Sequence, residues 1–282
     1  MSLPIKKIYI DTKYKTKDSI SNSHFKIELP QTLLMPDNTV FYIDDISIPH
    51  SWYSLSNGIN NTFYIHISTT DSVPELNDNF AIELVSQNYN GAELASQIQT
   101  KLNARYAGFT VSFNQNKQII TIATSLSNTI FKVLTENDIK SRRNNQWLGD
   151  DYDSTKPADL NTNVLKLNEG TSSYHTNLSP YVSEVIDLQP IRNIYMSSPN
   201  LGNFNIVGSR GESDIIKKVP VTSDYNYMIF NNVLQGNDFL DCSRQTLRTL
   251  EFRLSDVHGN LVPLNRSHIN FSIIFDRMDV RS

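Results

Sequence analysis

Residues 247–254 read LRTLEFRL, and residues 269–275 read INFSIIF. In the first stretch Leu250, Phe252 and Leu254 alternate with Glu251 and Arg253. In the second, Ile269, Phe271, Ile273 and Phe275 share one side. A period of two is the mark of a strand that buries one face. Asp256–Asn260, DVHGN, supplies the turn between them. The pair predicts two antiparallel strands facing a common core.

The same rhythm recurs upstream. Phe25, Ile27 and Leu29 alternate with His24, Lys26 and Glu28, and Pro30 is read as closing that strand. Val40 to Pro49 reads as a long inner strand. Asn57-Gly58 and Asn60-Asn61 mark a turn, and Thr62 to Ser68 resumes the alternation. Further strands are predicted over 191–196, 215–221 and 225–230.

A different unit interrupts them. Asn90 with Glu93 three residues on forms a capping-box start, and Tyr89 and Leu94 occupy staple positions. Leu94, Ile98 and Leu102 then make one apolar stripe, so a helix is predicted over 91–104, with Gly108 ending the region. Phe109, Val111 and Phe113, then 118–124, form a hairpin. Residues 131–134 suggest a third strand. The polar stretch from Lys140 to Asn163 reads as a long excursion or mobile loop.

Strands so rarely separated by helices exclude a parallel α/β sheet. The predicted fold is mainly β, a single jelly-roll antiparallel β-sandwich with an inserted helix-plus-hairpin (α+β) domain. The change of rhythm places the sandwich at 1–68 and 186–282 and the insertion at 69–185.

The chain has 282 residues, with 39% hydrophobic and 19% charged residues, 13 Tyr and 13 Phe. So many aromatics exclude a disordered chain. A net charge of −4 disfavours a generally basic nucleic-acid binder. The single cysteine, Cys242, excludes an intrachain disulfide. The opening MSLPIKKIYIDTKYK has no secretory signal pattern, and no apolar run is long enough for a membrane span.

Catalytic signatures are missing. The six histidines, at 24, 50, 66, 175, 258 and 268, have no metal-ligand spacing. There is no G-x-S-x-G and no phosphate loop. Cys242, flanked by apolar residues, reads as core. Asp44 and Asp45, adjacent on a strand, are expected on opposite faces and so cannot act as a dyad. Asp150, Asp151 and Asp153 lack the rest of a calcium loop. Arg210-Gly211-Glu212 reads as an ordinary turn. No catalytic, metal or cofactor residue is assigned. Lys6, Lys7, Lys13, Lys15 and Lys17 crowd the N-terminus and read as a solvated arm or as an arm facing a polyanion, such as packaged nucleic acid or an acidic neighbour. They do not support specific nucleic-acid reading.

Residues 10–14 (IDTKY) and 23–29 (SHFKIEL) resemble the opening of minor capsid (penton) proteins of Polinton elements, virophages and adenovirus-like viruses. Residues 40–53 (VFYIDDISIPHSWY) resemble them too, as do the helix after Asn88 and the closing strand pair. The resemblance covers most of the chain and is weakest over 140–185. It implies an upright single jelly roll at the fivefold vertex of an icosahedral capsid, as a homopentamer ringed by a double jelly-roll major capsid protein. It implies a virion component with no enzymatic residues or cofactor, whose insertion faces a host receptor or fibre. A second reading is a receptor- or carbohydrate-binding β-sandwich of a fibre or spike, with Trp52, Tyr53, Trp147 and Tyr152 as exposed loop platforms. A third is an enzyme on a sandwich scaffold, using Tyr and carboxylates.

Overall fold

Sixteen strands carry the fold in a computed structural model that describes residues 6–69, 76–141, 148–149, 160–167, 173–201, 214–234 and 238–277. The first five are β1 (Lys6–Asp11), β2 (His24–Leu34), β3 (Thr39–Pro49), β4 (Thr62–Thr69) and β5 (Leu76–Glu83). Helix α1 (Gly91–Arg105) precedes β6 (Phe109–Asn114), β7 (Ile119–Thr124) and β8 (Thr129–Val133). Short helices α2 (Glu136–Ser141) and α3 (Leu160–Asn163) flank β9 (Leu148–Gly149), and β10 (Tyr181–Val182) follows. The last six are β11 (Asn193–Ser197), β12 (Ile215–Pro220), β13 (Met228–Asn231), β14 (Leu240–Asp241), β15 (Thr246–Ser255) and β16 (Asn270–Arg277). Strand accounts for 46% of the described residues and helix for 13%, so the fold is mainly β.

The chain divides into two units, Met1–Trp52 with Ile191–Ser282, and Tyr53–Pro190. The first is a sandwich. One sheet runs β1-β16-β3-β13, with β14 also on β3, and the other runs β12-β11-β15-β2. Leaving out the two-residue β14, these are eight strands. Counted along the chain they fall 1-8-3-6 and 5-4-7-2, the strand orders of a jelly roll. The predicted final pair does not lie side by side. β15 joins β2 and β11, while β16 runs between β1 and β3. The two sheets enclose a core that includes Phe25, Phe252 and Phe271, whose rings meet at 5.0–6.4 Å.

Two local departures from simple alternation shape this unit. Pro30 does not close β2, which continues to Leu34. The β15 register jumps from Leu247↔Leu33 to Thr249↔Glu28, so Pro30 lies in a bulge of a sheet-edge strand, where its missing N–H breaks no ladder. In β3 the core residues are Phe41, Ile43, Ile46 and Ile48. The step of three from Ile43 to Ile46 coincides with a register shift against β16. Asp44 and Asp45 therefore both lie on the outer face, not on opposite faces as strict alternation predicted.

The loops at one pole of the sandwich are tied together. His50 Nδ1–H donates to the Ser223 carbonyl at 2.8 Å, and its backbone N–H donates to Tyr227 at 2.9 Å. Ser51 Oγ donates to the Leu264 carbonyl at 2.7 Å, and Asn22 Nδ2 to that of Ser267 at 2.9 Å. The chain leaves the sandwich here, after β3, and returns before β11.

In the second unit, β8-β4-β5-β9 and β10-β7-β6 form two sheets. β4, expected within the sandwich, belongs here. It pairs with β5 along its whole length and with β8. The capping box is present, with Asn90 Oδ1 accepting from Glu93 N at 2.9 Å and Glu93 accepting from Asn90 N at 3.0 Å. Leu94, Ile98 and Leu102 bury their stripe among Phe63, Phe109 and Ile122. Residues 160–163, read as the end of a polar excursion, are instead helical, and Leu160 and Asn161 are fully buried. Asn161 accepts from Tyr64 N and donates to the carbonyls of Tyr64 and Leu134, at 2.6–3.2 Å. A polar residue can be buried when backbone groups satisfy its side chain in this way.

Candidate functional site

The two outer faces of the sandwich differ in chemistry. On β2 and β15 the outward side chains pair with one another. His24 meets Glu251 at 2.7 Å, Lys26 lies 3.4 Å from Asp18, and Arg248 meets Glu28 at 2.8 Å. Such a face is satisfied in water.

The face of β1-β16-β3-β13 is richer in exposed apolar groups. Register sets its cross-strand rows. Lys7, Ile274 and Tyr42 form one, Tyr9, Ser272 and Asp45 the next, and Asp11, Asn270, Ser47 and Phe230 a third. Tyr9 is 76% exposed and Phe230 58%. Met228, beside Pro49, extends the patch along the edge strand β13, and exposed Tyr227, Val233 and Leu234 flank that strand. Tyr42 meets Phe239 edge-on at 4.9 Å. Lys7 Nζ reaches Asp44 at 2.6 Å and lies 5.1 Å from the Tyr9 ring centre. The Asp44 carboxylate, as hydrogen-bond partner, raises the Lys7 pKa. Ser272 Oγ donates to Asp45 at 2.8 Å. The two carboxylates thus have separate partners.

The lysine-rich start is not a free arm. Lys6 and Lys7 are in β1, paired to β16, and Ile10 of the same strand is buried. Lys13 stands in a single 3-10 turn capped by Asp11. Lys15 donates to the Asn22 side chain. Lys17 is exposed. The start is held because Ile8 and Ile10 alternate within the lysine-rich stretch and fill the edge of the core.

The expected aromatic platforms also change. Trp52 is 1% exposed and belongs to the sandwich core, with its ring 4.3 Å from that of His50. Tyr53 is half-buried. Trp147 and Tyr152 lie outside the described residues, as do Asp150, Asp151, Asp153 and Arg210-Gly211-Glu212. Sequence reasoning missed Met228 and Phe230. Their strand was legible, but the side chain between them, Ile229, is the buried one. Three consecutive apolar residues do not say which face is covered.

Burial pushes the Cys242 thiol up to about 12, so it is a protonated core group at neutral pH. Among the described residues no three His, Cys, Asp or Glu side chains are grouped to hold a metal ion. No helix among them is long and apolar enough to cross a membrane.

Fold and face together define a jelly-roll β-sandwich protein that carries an α+β insertion between its third and fourth strands. No family model matches the chain, and no curated protein matches it. Among solved structures it is similar to the penton protein of mavirus, crystallised with selenomethionine. The two are 16% identical with a TM-score of 0.51, and the match covers 97% of this chain and 100% of that one. The likeness in fold runs over nearly the whole of both chains.

Proposed function

We propose that the chain is a structural minor capsid (penton) protein that forms the fivefold vertices of an icosahedral capsid. The observation that carries this reading is the end-to-end match to the mavirus penton protein, 97% of this chain against the whole of that one. A lone sandwich domain would match only part of such a protein.

The vertex requires a ring of five copies, and a ring requires a heterologous contact between two different flanks of each subunit. The apolar face of β1-β16-β3-β13 supplies one flank of suitable chemistry. The remaining partner is a double jelly-roll major capsid protein around the ring. The insertion, 53–190, is assigned to exposure on the particle and to host or fibre contact. The carbohydrate-binding alternative loses its foremost platform, because Trp52 is buried.

Imaging of assembled shells tests the proposal. Density for this chain is expected at fivefold positions only. Its appearance at threefold or twofold positions, or its absence from purified particles, refutes the reading.

A further inference from the structure

At the tied pole of the sandwich lies a cleft of about 620 Å³, within the usual size range of ligand sites. Lys15 and Asn22 line one side, and Val262, Leu264, Arg266 and His268 line the other. Three of these are basic, and no acidic residue lines the cleft. In a chain of net charge −4 this is a local reversal of sign. Arg266 is exposed, and its guanidinium has no ion-pair partner among the described residues.

Hydrogen bonding also holds the His268 ring. Thr12 Oγ1 accepts from the Ile269 N–H at 3.1 Å and lies 3.1 Å from His268 Nδ1, so Nε2 is the ring nitrogen left for a ligand.

The cleft is held rigidly. Asn22 Nδ2 donates to the carbonyls of Arg266 and Ser267, at 3.1 and 2.9 Å. Ser23 Oγ donates to the Val262 carbonyl. Asn265 and Arg266 both have left-handed backbone, with φ of 47° and 68°. Residues other than glycine keep that conformation only where their surroundings impose it, and such positions gather at binding sites. Half-buried Leu261 and Pro263 give the cleft an apolar wall.

We propose that this cleft binds an acidic peptide segment of a partner protein, with a carboxylate at Lys15, Arg266 and His268 and a neighbouring aliphatic side chain over Leu261 and Pro263. An arginine fork matches a carboxylate in two parallel hydrogen bonds. No Phe, Tyr or Trp lines the cleft, so nucleic-acid bases and sugar rings find no stacking face. The net negative charge of the chain also repels an extended polyanion. The inference does not rest on the vertex reading and can fail or stand without it.

Titration of the full chain, methyl-labelled at Leu and Val, with N-acetyl-Leu-Glu-Leu-Asp-amide tests it by NMR. Saturable shifts are expected at the Leu261 methyls. The Gln/Asn version of the peptide should bind at least about tenfold more weakly, and so should the acidic peptide to Arg266→Gln or Lys15→Gln protein with unchanged melting temperature. Equal binding of the neutral peptide, or binding indifferent to both substitutions, overturns the proposal. So does tighter binding of inorganic sulfate or of an oligothymidylate than of the acidic peptide.

Discussion

The ion pair between Lys217 and Asp238 should respond asymmetrically to loss of either partner. Lys217 is on β12, and its side chain is 5% exposed, against 25% for Asp238. Its ammonium donates to Asp238 at 2.8 Å and to the Val233 carbonyl at 2.7 Å, strapping the loop before β14 to the sandwich. At 2.8 Å and an effective dielectric of about 20, the attraction is about 6 kcal/mol, much of it offset by desolvation. In Asp238→Ala the ammonium stays buried with a single neutral acceptor, which should cost about 3–5 kcal/mol. In Lys217→Met the surviving carboxylate can rehydrate and the methionine fills the space, so the cost should be about 1–2 kcal/mol. The double variant should resemble Lys217→Met, giving a coupling of about 3–5 kcal/mol. Urea unfolding followed by Trp52 fluorescence in a Trp147→Phe background reads the sandwich unit, because the chain has two tryptophans. If Lys217→Met costs as much as Asp238→Ala, or the two costs simply add, the reasoning fails.

Three further outcomes are expected. Gly108 has φ +101°, and a Cβ there would lie 2.9 Å from Leu126, so Gly108→Ala should lower the stability of the second unit by about 1–3 kcal/mol in chemical denaturation; no loss would mean the turn relaxes freely. Burial lowers the pKa of His175, and the nearby backbone of Ser179 and Pro180 only partly restores it. The unfolded chain then binds the proton more tightly than the folded one, so stability present above about pH 6.5 is lost as pH falls below it, and His175→Gln should flatten that dependence in urea midpoints measured from pH 7.5 to 5. Phe230→Asp, at an exposed position, should leave the melting temperature almost unchanged yet prevent ring formation in sedimentation analysis; rings of undiminished stability would remove this face from the subunit contact.

What the sequence by itself determined is what neighbouring residues decide among themselves. The alternation in 250–254, 269–275 and 25–29 set strands with a known inward face, because side chains on a strand must alternate. Asn90 and Glu93 set a helix start because the two groups that close the box are three residues apart. The mainly β class and the interrupted sandwich followed from such local patterns. Tertiary structure alone decided the matters that depend on distant partners. Lys6–Asp11 became a strand because β16, some 260 residues later, offers it an edge. Thr62–Thr69 joined the second unit because its ladder partners are β5 and β8. Trp52 was buried by the core around it, and the bulge in β3 turned Asp44 and Asp45 to one side to keep Ile43 and Ile46 inside. The exposure of Met228 and Phe230 and the basic cleft at Lys15, Arg266 and His268 have the same origin. A strand's own residues give its period, but which face is covered, and which loops meet at a pole, depend on contacts whose loop-closure entropy only the assembled core can offset.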